Sequence, residues 1–124
     1  MSILYRKHDL YPESILVRDF IEKVSVDEII KSWETLIKGG MLHPSVKGVI
    51  NNLSACDLQM DMGSFHTLLD FIKRNERLKE IKLAVVCNNP KMIVFPTLGY
   101  LEEKELHIKP FSTEEAAVNW IMNG

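Results

Sequence analysis

Residues 46–74 read VKGVINNLSACDLQMDMGSFHTLLDFIKR, and this stretch decides the fold. Its first part, Val46 to Leu53, mixes Val, Ile and Leu with a single Gly and carries no charge after Lys47. A short apolar run of that kind suits a central strand covered on both faces, as in parallel α/β sheets. Asn51, Asn52 and Ser54 should end it, because short polar side chains compete with the ladder for backbone hydrogen bonds. The next residues, ACDLQM, then form a loop. Asp61 is placed to cap a helix by accepting from free N–H groups of the first turn. Phe65, Leu68, Leu69 and Ile72 follow at i, i+3, i+4 and i+7, one face of a helix that lies on a sheet. Lys73, Arg74 and Arg77 suit the negative pole of that helix. The unit is strand, loop, helix.

Outward from it, the same logic extends in both directions. Upstream, Ile3 to Lys7 reads as a short edge strand with HDLYPE as the turn. Ile15 to Ile21 is the next strand, with Ile15, Val17 and Asp19 alternating against Leu16, Arg18 and Phe20. The short connection makes these two antiparallel neighbours. Ser25 and Glu28 have capping-box spacing. The helix they open carries Val26, Ile29, Ile30, Trp33 and Ile37 on one stripe and stops at Gly39-Gly40. Downstream, IKLAVVC (81–87) is a second buried strand. Asn88-Asn89-Pro90 is a cap followed by proline in the first turn. Pro96 and Gly99 should limit the segment Lys91–Glu103 to one or two helical turns. Leu106 to Phe111 is a last strand, with Pro110 favouring an edge. Ser112 and Glu115 form another capping-box pair, and Ala116, Ala117, Trp120 and Ile121 give the final helix its buried face.

The order is ββαβαβαβα, an α/β architecture of roughly four or five strands and about four helices. Its sheet is mixed but mostly parallel, with right-handed crossovers and one antiparallel edge. Residues 1–124 are expected to form one domain, since 124 residues can bury a core without staples. Trp33 and Phe65 should be the helix aromatics that face the sheet.

The formal charge of −2 gives no electrostatic footprint for nucleic acid or an anionic membrane. No apolar run approaches the ~20 residues of a membrane span. Residues 1–13 lack the long apolar core of a signal peptide. Two cysteines do not make a disulfide framework, so a reducing cytoplasm is the expected home.

With these residues placed, the chain resembles the STAS-like group, relatives of the bacterial anti-sigma-factor antagonists. In that group the middle strand ends in Asp-Leu-Ser, and Asp-Ser-Ser-Gly opens the following helix. Asn52-Leu53-Ser54 and Asp61-Met62-Gly63-Ser64 stand in those positions here. PFSTEEAAVNWI (110–121) is similar to the C-terminal end of such proteins. The resemblance runs from about Ile15 onward. It implies a STAS-like fold and a non-enzymatic regulatory or interaction role with a protein partner, and it leaves room for a homodimer. The group's phosphate acceptor falls on Met62, so a switch by phosphorylation at this loop is not expected. Some STAS-like relatives resemble lipid-binding proteins of the CRAL-TRIO type, which adds a small hydrophobic or lipid-like ligand as the alternative.

Loops after parallel strands emerge at the carboxyl edge of a sheet, where α/β folds bind ligands. The expected partner- or ligand-binding rim is therefore Asn52, Ser54, Asp61, Met62, Ser64, Asn88 and Asn89. Helix starts at Asp61 and Asn89 could together favour an anion, although Asn and Asp are preferred at caps whatever the function. Met60, Met62, Met92 and Phe95 fall near the same edge, either as core or as an apolar partner surface or groove. Cys87 closes an apolar strand and reads as a buried small hydrophobe, while Cys56 is open to either reading. His8, His43, His66 and His107 sit on different elements without metal-ligand spacing. No Gly-rich phosphate loop, serine elbow or Walker-type lysine is present in the sequence. No cofactor, metal site or catalytic residue is expected.

Overall fold

The structure, a computed structural model, describes residues 3–102 and 105–124. Five strands and five helices follow one another along the described residues: β1 Ile3–Lys7, β2 Ile15–Ser25, α1 Val26–Lys38, β3 Gly48–Gln59, α2 Met62–Lys73, α3 Glu76–Glu80, β4 Lys82–Val86, α4 Pro90–Glu102, β5 His107–Phe111 and α5 Glu114–Asn123. The sheet order is β1-β2-β3-β4-β5. β1 pairs antiparallel with β2, and every other pairing is parallel. β5 is an edge, which leaves Pro110 free of a ladder on its outer side.

This order decides where the helices lie. When parallel strands are added in one direction by right-handed crossovers, every connecting helix falls on the same face. Accordingly Trp33 of α1, Phe65 of α2, Leu78 of α3 and Met92 of α4 pack with Leu16, Phe20, Val49 and Leu83 in one core. α5 follows the last strand and covers the opposite face, where Ala117 and Ile121 meet Ile15, Val17, Ile50 and Ala84. β2, β3 and β4 are thus buried on both sides, as their near-continuous apolar runs require.

Gly48 opens β3 beneath α5. A Cβ there would lie 2.8 Å from both Cγ1 and Cγ2 of Ile121. Gly48→Ala is expected to cost about 1–3 kcal/mol through overpacking. In combination with Ile121→Ala it should cost less than the sum of the two single substitutions, measured by denaturant unfolding. An additive pair would show that α5 does not press on β3 there.

Several boundaries differ from the sequence reading, each for a physical reason. β3 does not end at Leu53: Ala55 to Gln59 pair with Ile21 to Ser25 of an equally extended β2. The expected loop is therefore strand, its backbone groups satisfied in a two-stranded ribbon that projects past β4, whose pairing stops at Asn52↔Val86. A bulge between Asp19 and Ile21 starts the ribbon, with Glu22 at φ 59 just beyond it. α4 runs for 13 residues through Pro96 rather than one or two turns. Burial of Met92, Pro96 and Gly99 along its inner face offsets the lost hydrogen bond. Glu103, the end of the segment as read from sequence, lies outside the described residues.

Arg77 belongs to α3, a helix not expected, and its guanidinium donates to the carbonyls of His43 and Val46 ahead of β3. In α1 the last buried position is Leu36 rather than Ile37. α5 is capped by Thr113, which accepts from the Ala116 N–H, not by Ser112. The box at Ser25 and Glu28 is present in both directions. Trp33 and Phe65 are buried against the sheet, at 2% and 4% exposure.

Candidate functional site

Two polar pairs interrupt otherwise apolar strands, Arg18-Asp19 in β2 and Asn51-Asn52 in β3. They are in register, Arg18 opposite Asn51 and Asp19 opposite Asn52. Because side chains alternate along a strand, each face receives one member of each pair. On the α5 face the Asn52 amide donates to Asp19 Oδ1 at 3.0 Å. Arg6 bridges Asp19 at 2.8 Å and Glu114 of α5 at 2.9 Å. That network is partly solvated and ties α5 to the sheet edge.

The other face holds Arg18, which has no exposed surface at all. Its Nη1 donates to Asn51 Oδ1 at 2.8 Å and its Nη2 to Ser32 Oγ at 2.9 Å. Nη2 also reaches the Ile29 carbonyl at 3.4 Å. The guanidinium lies over the Trp33 ring at 3.9 Å and near the Phe20 ring at 4.9 Å. Asn51 passes the chain on by donating to the Ala84 carbonyl, and Ser32 meets the Tyr5 hydroxyl at 2.7 Å. Nε makes no hydrogen bond to any described residue. Among the described residues no ion pair involves Arg18. Burial pulls its pKa down to about 9, so the group remains a cation at neutral pH. A buried cation without a counter-ion costs several kcal/mol unless its surroundings compensate.

Arg18 and Asn51 line a cavity of about 90 Å³ under α2 and α4. The rest of its lining is apolar. Phe65, Leu69 and Ile72 come from α2, and Phe95 and Pro96 from α4. Leu58 and Met60, carried there by the projecting ribbon, complete it and are half-buried. The Phe65 and Phe95 rings meet at 5.4 Å, which ties α2 to α4 over the cavity.

The rim residues fall into three places. Asn52 and Ser54 lie within β3 rather than in a loop after it, and the Ser54 N–H donates to Asn52 Oδ1. Asp61, Met62 and Ser64 stand at the end of the ribbon, at the start of α2. There Asp61 Oδ1 accepts from the Ser64 N–H, and Ser64 Oγ accepts from the Asp61 N–H. The Ser64 N–H, and after it the Ser64 hydroxyl, hold the Asp61 carboxyl below its usual pKa, and the reciprocal bonds leave Ser64 engaged as a cap. Asn88 and Asn89 are exposed beyond β4, where the Asn89 carbonyl accepts from Met92 and Ile93.

Cys87 is buried, and burial raises its thiol pKa. Cys56 is half-buried, and burial pushes its thiol up to about 11, so it is protonated at neutral pH. Met92 joins the core, whereas Met62 is 48% exposed. The outer face of α4 is apolar too: Ile93, Val94, Tyr100 and Leu101 are exposed, Leu101 at 56%. Among the described residues no group of three His, Cys, Asp or Glu side chains could hold a metal, and no helix is long and apolar enough to cross a membrane.

No family model and no curated protein matches this sequence. Solved structures do match it in shape. The unphosphorylated anti-sigma factor antagonist SpoIIAA superposes with a TM-score of 0.63 over 98% of this chain and 99% of that one, at 12% identity. The fold is STAS-like. An anti-sigma factor antagonist from Mycobacterium paratuberculosis gives 0.62 at 17% identity, covering 98% of this chain and 93% of that one. A protein from Shewanella loihica with a SpoIIAA-like fold gives 0.61 at 12% identity, covering 96% and 91%.

Within this STAS-like frame, the Arg18–Asn51 pair is what the sequence reading passed over: Asn51, expected to end its strand, lies buried inside β3. Alternation correctly put Arg18 with Leu16 and Phe20, but did not assign that face to α1 through α4. The signal was available: VRDF and INNL each place two polar residues between apolar ones, and polar residues at one register in neighbouring buried strands must satisfy each other.

Proposed function

We propose that this chain is a non-enzymatic, STAS-like regulatory or interaction domain that binds a protein partner through the carboxyl edge of its sheet. The observation that carries this reading is α4, which is apolar on both faces. Met92, Phe95, Pro96 and Gly99 turn inward, while Ile93, Val94, Tyr100 and Leu101 form an exposed stripe at i, i+1, i+7 and i+8. A helix apolar all round belongs in a core, so an exposed one has a face left to cover. Met62, at the start of α2, is a further exposed apolar side chain. The proposed rim also takes in Asn52, Ser54, Asp61, Ser64, Asn88 and Asn89. Structures of the same fold include anti-sigma factor antagonists, which supports a regulatory role. The cavity's polar groups, Arg18 and Asn51, include no general acid or base that works at neutral pH, which supports a role in binding rather than catalysis.

Ile93→Asp with Leu101→Asp changes two exposed positions and should leave the circular dichroism spectrum intact. It should abolish partner capture by the tagged chain in lysate of its host. Unchanged capture would overturn the α4 surface.

The cavity favours a second reading, a carrier or sensor of a small hydrophobic ligand. Its walls are apolar and lie under the same helix, so an occupant would press on α4 from within. The expected result is a rise in melting temperature with millimolar 1-hexanol, lost in Leu69→Phe, which fills the space from α2. No shift with any apolar probe would remove the reading.

A further inference from the structure

The cavity wall holds a feature that a purely apolar ligand would not need. Arg18 is a fully buried cation, its Nε–H is unmatched by any described residue, and no ion pair neutralises it among the described residues. Its remaining contacts are neutral: a side-chain amide, a hydroxyl, a carbonyl and two aromatic rings. The rings hold the guanidinium plane by cation–π contact and so fix its direction before any ligand arrives. Everything else around the space, save Asn51, is an aliphatic, aromatic, proline or thioether side chain.

We propose that Arg18 is the anion receptor of the cavity, and that its ligand is a small monocarboxylic acid with an apolar tail. The inference rests on the cavity reading above and specifies the ligand's charge. Arg18 lines the space but exposes no surface to it, so a carboxylate reaches the guanidinium by displacing the side chains that close over it. There it would take a charge-assisted hydrogen bond from Nε–H and supply the missing counter-charge, while its tail meets Phe65, Leu69 and Phe95. Charge balance selects a monoanion: a phosphate dianion would leave one negative charge unpaired in an apolar enclosure. A guanidinium also suits a carboxylate better than an ammonium would, because it is planar and weakly hydrated. Size sets the tail. A cavity of roughly 150 Å³ admits benzene, so one of about 90 Å³ takes a chain of about four carbons. Longer chains must push past half-buried Leu58 and Met60.

The test is calorimetric titration of the full chain at pH 7 with butanoate, hexanoate and octanoate, each against the alcohol of the same length. The expected result is that each acid binds at least tenfold tighter than its alcohol. Arg18→Met, close in volume and uncharged, should erase that preference while keeping alcohol binding. Should Arg18→Met fail to fold, the acid and alcohol series on the unaltered chain still decides. A second readout is the carboxyl carbon resonance of labelled hexanoate, whose pKa should fall by a unit or more on binding. Equal binding of acids and alcohols, or an unshifted pKa, would overturn the role of Arg18 and leave the cavity reading standing. No binding by either series would overturn both.

Discussion

Trp33→Ala is expected to lower the free energy of unfolding by about 4–5 kcal/mol, the upper end for emptying a buried aromatic site. Two losses combine. Trp33 is buried between α1 and the sheet, and no single neighbour can move into a space of that size. Its ring also covers the Arg18 guanidinium at 3.9 Å, a cation–π contact worth most where water is excluded. Without the ring, the cation faces a void. Trp33→Phe, which keeps a ring over the guanidinium, should cost no more than about 2 kcal/mol. Denaturant unfolding with an unchanged m value would establish both numbers. A loss below about 2 kcal/mol for the alanine variant would mean that neither packing nor the cation contact matters as described.

Most of the architecture was written in periodicity. The stripe Phe65, Leu68, Leu69 and Ile72 placed α2 on the sheet, with Leu68 only half-buried, and the Ser25–Glu28 spacing and the Asp61 cap fixed two helix starts to the residue. These signals are local, so sequence shows them directly. The larger misses involve a tertiary partner overruling a local preference. Ala55 to Gln59 have turn-like neighbours, yet β2 was available to pair with them. Pro96 argues against a helix, yet the inner face of α4 had a core to join. Arg18 is a charge among apolar neighbours, yet Asn51 of β3 and Ser32 and Trp33 of α1 converge on it. Of the candidate site, the edge and the apolar residues near it were legible. The cavity was not, because it is a volume left between elements rather than a property of any of them.

α4 joins the two proposed functions in one element. Its inner residues Phe95 and Pro96 wall the cavity, and its outer residues Ile93 and Leu101 face solvent. An occupant that moved the inner face would move the outer one with it, since packed helices shift as bodies rather than deform. Ligand and partner would then be coupled by the differential affinity of each for the two positions of this helix.

The polar network under that helix gives the second large effect. Asn51→Leu should cost about 3 kcal/mol or more, because it strands the Arg18 charge without its 2.8 Å acceptor and takes from the Ala84 carbonyl its 3.0 Å donor. Arg18→Met alone should cost less, about 1–2 kcal/mol, since it leaves two neutral groups, the Asn51 amide and the Ser32 hydroxyl, short of partners. The double variant Arg18→Met/Asn51→Leu removes donor and acceptor together and fills the space with hydrocarbon. It is expected to recover most of the loss and to equal or exceed the natural chain, as replaced buried charges often do. The coupling between the two sites, the summed single losses less that of the double variant, should therefore be about 4–5 kcal/mol. Additive losses would show that Arg18 and Asn51 act separately and that the charge is already compensated. A double variant as stable as the natural chain would have a further consequence: the cation is not there for stability. A group kept at a cost to folding is expected where it does something else, and the cavity beside Arg18 is where that use would lie.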